Sequence, residues 1–105
     1  MTDLARVALD SDQVVRVTGE IDLSNAARVR DAIGAALPDL PEVWVDLTGT
    51  EYLDSAGIAM LFRLAERLSY NRQKLQLVVP AEGPIRAMIR LTRLDQVVRV
   101  EPSAD

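Results

Sequence analysis

Residues 42–79 constrain the fold more than any other part of this chain. "EVWVDLTG" (42–49) alternates with a period of two, "SAGIAMLFRLAERLS" (55–69) repeats at helical spacing, and "KLQLVV" (74–79) returns to a strand pattern. Two strands separated by a helix of that length cannot form a hairpin. They are joined by a crossover, and a crossover makes them parallel. In the first strand Val43, Val45 and Leu47 point one way, Trp44 and Asp46 the other. Apolar residues on both faces predict a strand covered on both sides, with Asp46 in need of a partner or water.

The remaining segments extend this unit. "ARVALD" and "QVVRVTGE" read as two strands joined by the turn "DSDQ", a hairpin ahead of the crossover. "SNAARVRDAIGAAL" is helical, with Ala26, Val29, Ile33, Ala36 and Leu37 on one face, Ser24 as its cap and Pro38 and Pro41 beyond its end. Gly34 weakens it by about 1 kcal/mol relative to alanine. "TGTEY" reads as a loop, and Asn71 suits the left-handed position after the central helix. "GPIRAMIRLT" is a short helix, "DQVVRV" a last strand and "EPSAD" a frayed tail. The expected order is β-β-α-β-α-β-α-β: an α/β fold with a mixed, mostly parallel sheet, an N-terminal hairpin and helices packed on the sheet. No repeat, low-complexity segment or domain boundary interrupts it.

Composition narrows the function. In 105 residues, 49% are hydrophobic, enough for one domain with a real core. Twelve basic and sixteen acidic residues give a net charge of −4, and no basic tract concentrates positive charge, so neither nucleic acid nor an anionic membrane is an expected partner. The N-terminus lacks the apolar run of a signal peptide, and "GIAMLF" is far too short to span a bilayer. Cysteine is absent, which suits a reducing cytoplasm. Histidine is absent too, and Lys74 is the only lysine. That removes the usual triads, zinc ligands and the commonest general base, so the expectation is no catalytic residue, no metal, no cofactor and no enzyme activity.

Functional groups in such sheets gather beyond the carboxyl ends of the strands. Three pieces are expected there: "GEID" (19–22), "DLTG" (46–49) and "LDSAG" (53–57), bringing Glu20, Asp22, Asp46, Asp54 and a serine together. Asp54 and Ser55 pose a question, since both form caps and a helix needs one. If Asp54 caps, Leu53 and Ile58 can form a hydrophobic staple and the Ser55 hydroxyl is free. If Ser55 caps, Asp54 merely favours the helix dipole. Mg²⁺ at the acidic cluster is an alternative, though no lysine lies near the edge to support it. A phosphate cradle is disfavoured by the single glycine and the surrounding acids.

The remaining alternative makes Ser55 a modification site, beside the small Ala56 and Gly57. Phosphate would add about −1.5 to −2 charges next to existing acids. The helix dipole offsets only about 0.3–1 kcal/mol. One like-charge pair at about 5 Å costs roughly 3 kcal/mol at an effective dielectric of about 20. A net penalty of about 2–3 kcal/mol weakens binding roughly 30- to 150-fold, enough for a switch without refolding. On the same helix Ile58, Leu61, Phe62, Ala65 and Leu68 form the expected core stripe. Ala56 and Met60 fall on roughly the opposite side, near Arg63 and Arg67, either as a solvated face or as a partner-binding surface.

"VWVDLTGTEYLDSAGIAMLFRL" resembles the signature of STAS domains, specifically bacterial anti-sigma factor antagonists, and "VTGEIDLSNA" resembles that family's second conserved stretch. The likeness covers residues 4–101. It implies that Ser55 is the phosphoacceptor, that Asp22 and Asp54 flank it, and that Asp22, Asp54, Ser55, Ala56, Gly57 and Met60 meet the partner. It implies a partner that is both anti-sigma factor and serine kinase: the unmodified protein binds it and frees a sigma factor, the phosphorylated form lets go, and a phosphoserine phosphatase resets the cycle. ATP then belongs to the kinase. Many family members carry a second hydroxyl after the serine; Ala56 here removes that competitor. Glycines often follow the helix where this chain has Asn71 and Arg72. Some STAS domains are never phosphorylated and serve as adaptors in transport or as scaffolds in stress signalling, which is the alternative class.

Overall fold

The computed structural model describes residues 4–102. Its elements run β1 (Arg6–Leu9), β2 (Val14–Ile21), α1 (Ala26–Ala36), β3 (Glu42–Asp46), β4 (Thr50–Leu53), α2 (Ser55–Tyr70), β5 (Lys74–Val79), α3 (Pro84–Thr92) and β6 (Arg99–Pro102). The sheet order is β1-β2-β3-β5-β6, with β4 paired to β2 off this path. Among the described residues only the β1–β2 pair is antiparallel. The hairpin turn is tied by Asp10, whose carboxylate accepts from the Asp12 and Val14 N–H groups and from Arg16 Nε. The Val14 N–H holds the Asp10 carboxyl below its ordinary range. This contribution is present at neutral pH and is lost as pH falls through that lowered value.

The expectation that the strand now seen as β3 is covered by helices on both sides is corrected. Each crossover, β2 to β3, β3 to β5 and β5 to β6, steps the same way along the sheet. Connections of one hand then place α1, α2 and α3 on one face. Burial agrees: Val15, Val17, Val43, Val45, Leu75, Leu77 and Val79 are buried, while Arg16 and Thr18 are exposed and Trp44 and Val78 half-buried. Asp46 and Gln76 are buried without a helix above them because cross-strand neighbours cover them. Arg16 joins Asp46 to Asp10, Gln76 donates to Glu42, and Arg99 lies 6.0 Å from the Trp44 ring centroid.

Several local expectations also shift. "TGTEY" contains β4 rather than being all loop. The last strand begins at Arg99, not Asp95, because Arg93 turns left-handed (φ 62°) and a 3-10 turn at Leu94–Gln96 tucks Leu94 into the core. Glu101 and Pro102 belong to β6; the rest of the expected tail lies outside the described residues. After α2 the left-handed residue is Arg72 (φ 60°), not Asn71. Arg72 N–H donates to Ser69 O and Gln73 N–H to Leu68 O, the Schellman pattern with Arg72 at C′. Gly34 has nothing near its missing Cβ, so it is a tolerated weakness rather than a packing requirement.

Candidate functional site

The strand that reads as loop is what assembles the site. Ile21 of β2 pairs with Leu53 of β4, and Asp54 N–H donates to Ile21 O at 3.3 Å. The next residue after each paired strand end is an aspartate, so Asp22 and Asp54 become neighbours. For β2 to reach β4 it must leave β3, and it does so through a register shift between Gly19 and Glu20. Gly19 sits at φ 93°, and a Cβ there would lie 1.8 Å from Leu4 O, so the glycine of "GEID" is required by backbone.

The doubled cap is resolved in favour of Asp54. Its backbone is extended, and its Oδ1 accepts from Ala56 N–H at 2.9 Å and Gly57 N–H at 3.1 Å. Leu53 and Ile58, both buried, flank it in the staple positions. Ser55 is the first helical residue, exposed, and its hydroxyl makes no hydrogen bond among the described residues.

The Asp22 loop is built differently. Asp22 Oδ1 accepts from both N–H and Oγ of Ser24, so Ser24 is not the cap expected of it. Asn25 holds the N-cap position of α1 but spends its side chain on the loop: Oδ1 accepts from Asp22 N–H at 2.9 Å and Nδ2 donates to Glu20 O at 2.8 Å. Asn25 is buried and fixes Asp22 beside the start of α2. Sequence reasoning misses it because, with Ser24 read as the cap, Asn25 falls inside the helix.

Two expected contact residues are less exposed than the sequence suggests, and the core stripe gains a member. Met60 is buried, 4% exposed, because α1 packs against that side of α2. Gly57 is buried as well; a Cβ would stand 2.2 Å from Leu53 Cδ1 and 3.2 Å from Ile21 Cγ2, so its smallness serves internal packing. In the core stripe Leu64 is buried as well, and the half-buried Phe62 packs against the core. Ala56 is half-buried, and Asp22 and Asp54 are half-buried at the surface. Leu23, 83% exposed between Asp22 and Ser24, is an apolar surface residue that the reading passed over; a leucine inside a polar turn was the available signal.

Asp46 does not join the others. It aligns with Arg16, five residues before Ile21 on β2, which separates it by roughly 15 Å at the rise of a strand. Its carboxylate is occupied by Arg16 and by the N–H and Oγ of Thr48. Among the described residues no group of three or more Asp or Glu stands close enough to hold a metal ion, and no helix is long and apolar enough to cross a membrane. A hollow of about 790 Å³ is lined by Lys74, Arg99 and Glu42 at the opening ends of their strands, away from Ser55. The serine is displayed on a surface rather than enclosed in a cleft. The class so defined is a one-faced α/β domain that presents an uncommitted, acid-flanked serine at a helix start.

Comparison with known proteins matches that class. The profile of the family described as "Mlab, STAS domain" fits residues 4–100. The anti-sigma-F factor antagonist RsfB of Mycobacterium tuberculosis is 36% identical over 89 residues, 83% of this chain and 70% of that protein. An anti-sigma factor antagonist from Mycobacterium paratuberculosis has a crystal structure 35% identical, with a TM-score of 0.78 over 96% of this chain and 86% of that one. Bacillus SpoIIAA in its unphosphorylated form shares the fold at 14% identity, with a TM-score of 0.72 over 96% of this chain and 89% of that one. The chain belongs to the STAS domain family, among the bacterial anti-sigma factor antagonists.

Proposed function

We propose that this chain is an anti-sigma factor antagonist switched at Ser55. The unmodified protein binds an anti-sigma factor that is also a serine kinase, and a sigma factor is freed for transcription in the cytoplasm, as in a stress response. The kinase transfers the γ-phosphoryl group of ATP to Ser55 Oγ, releasing ADP and the hydroxyl proton. The phosphorylated form dissociates, and a phosphoserine phosphatase hydrolyses the ester with water, restoring the hydroxyl and releasing inorganic phosphate. The chain is the substrate in this cycle, not the enzyme.

One observation carries the reading: Asp54 caps α2 alone, so the exposed Ser55 hydroxyl is left free among the described residues. A new charge of about −1.5 to −2 there faces the carboxylates of Asp22 and Asp54 and whatever surface the partner brings. Desolvating that charge in an interface weakens binding.

The test is phosphorylation of the purified chain by its cognate kinase with ATP, mapped by mass spectrometry. Phosphate on Ser55 alone is expected; phosphate elsewhere, or none, overturns the assignment. Ser55→Ala should keep binding the kinase and Ser55→Asp should bind more weakly. Equal affinities defeat the charge switch. Co-purification of a membrane ATPase in place of a small kinase would favour the non-phosphorylated adaptor class.

A further inference from the structure

We propose that the groove between the first halves of α1 and α2 seats a helix of the partner. That helix carries a basic, an apolar and an acidic residue spaced i, i+4, i+8. The proposal rests on the reading of Ser55 as the switched contact and extends the interface away from it.

The groove encloses about 270 Å³. That is below the roughly 300–1,000 Å³ of small-molecule sites, so it fits a side chain rather than a metabolite. Ala27 of α1 and Ala56 and Ala59 of α2 line it, and the buried Met60 lies at its base. Alanines let an incoming backbone approach, and the thioether adapts to the shape of what enters. Leu23, 83% exposed, stands at the rim as an apolar anchor next to the Asp22 loop.

Charge decides the occupant. Asp22 and Asp54 lie at the Ser55 end of the groove; Arg30 and Arg63 also line it. Arg63 makes no ion pair among the described residues, and Arg30 pairs with its chain neighbour Asp31 at 3.2 Å. Ser55, Ala59 and Arg63 are spaced four residues apart on one stripe of α2, so the acidic end and Arg63 are about 12 Å apart. A partner helix laid along that stripe sets its basic residue against Asp54, its apolar residue over Ala59 and its carboxylate against Arg63. This is helix-in-groove docking with charge fixing the direction. The same partner helix laid in the opposite direction meets like charges at both ends.

The experiment measures, by isothermal titration calorimetry, binding of the unphosphorylated chain to the purified cognate kinase. Ala59→Arg puts a charged side chain into the groove, and Arg63→Glu reverses its far end; both positions are exposed, so both variants keep the fold, checked by circular dichroism and melting. Each is expected to lose about tenfold or more in affinity, while Arg63→Lys and the control Ala87→Arg on α3 bind as the unaltered chain does. If Ala59→Arg and Arg63→Glu bind normally while Ser55 still accepts phosphate, the groove proposal is overturned and the Ser55 reading stands. If the unaltered chain neither binds the kinase nor accepts phosphate, both are overturned.

Discussion

The two helix starts at the site begin from the same plan and diverge. Ile21 and Leu53 are paired strand ends, and each is followed by an aspartate and then a helix. At α2 the aspartate caps directly, and the helix starts at the next residue. At α1 three more residues intervene, the aspartate binds Ser24 instead, and Asn25 gives up capping to brace the loop. The difference teaches how one chain separates two jobs. The short start displays a hydroxyl with nothing to hold it; the long start holds an aspartate and an exposed leucine in fixed places around it.

The bulge before the long start is where this arrangement breaks most completely. Gly19→Ala places a Cβ 1.8 Å from Leu4 O at φ 93°. Backbone cannot yield as a flexible side chain can, so about 3 kcal/mol or more of stability should be lost in urea unfolding. Next comes Asn25→Ala. It leaves Asp22 N–H and Glu20 O without their side-chain partner in a partly buried setting, costing about 2 kcal/mol. It should also weaken kinase binding, and that second effect should vanish in an Asp22→Ala background if Asn25 acts through Asp22. A binding loss that persists there would separate Asn25 from the site.

What the sequence made legible follows from how far each determinant reaches. The helix start at "LDSAG" was readable because caps and staples act within five residues; which of Asp54 and Ser55 caps it was not, since both residue types suit the position and local pattern alone favours a plain cap. The order of the major strands and helices was readable because period two and period 3.6 are local patterns. β4 was not: only Thr50 and Leu53 of its four residues are buried, so no alternation announces it. The bare sheet face was not, because it depends on strand order rather than on any one strand. Met60 was misplaced for the same reason; a second helix, absent from the local pattern, covers it. Arg72 in a left-handed position is a local rule broken, with both Schellman bonds formed around it all the same.

At the short start the cap itself is the next target. Asp54→Ala removes acceptors for the Ala56 and Gly57 N–H groups and should cost about 1 kcal/mol. That is less than Asn25→Ala, which frees both a donor and an acceptor of the loop backbone. Asp54→Ser should recover part of the loss, since a hydroxyl also caps. If Asp54→Ala were neutral while Ser55→Ala were costly in urea unfolding, the division of roles between the two residues would be reversed.

Ser55→Ala is the smallest effect on stability and the sharpest test of the comparison. The hydroxyl is exposed, makes no hydrogen bond among the described residues, and occupies the first helical position, where alanine is a good helix former. Its removal should shift the unfolding free energy by less than about 0.5 kcal/mol in either direction. A structural serine would cost about 1 kcal/mol, as caps do. A residue whose loss leaves the fold unchanged yet abolishes phosphorylation is one retained for another protein to read, and the two measurements on the single variant distinguish that case from a cap.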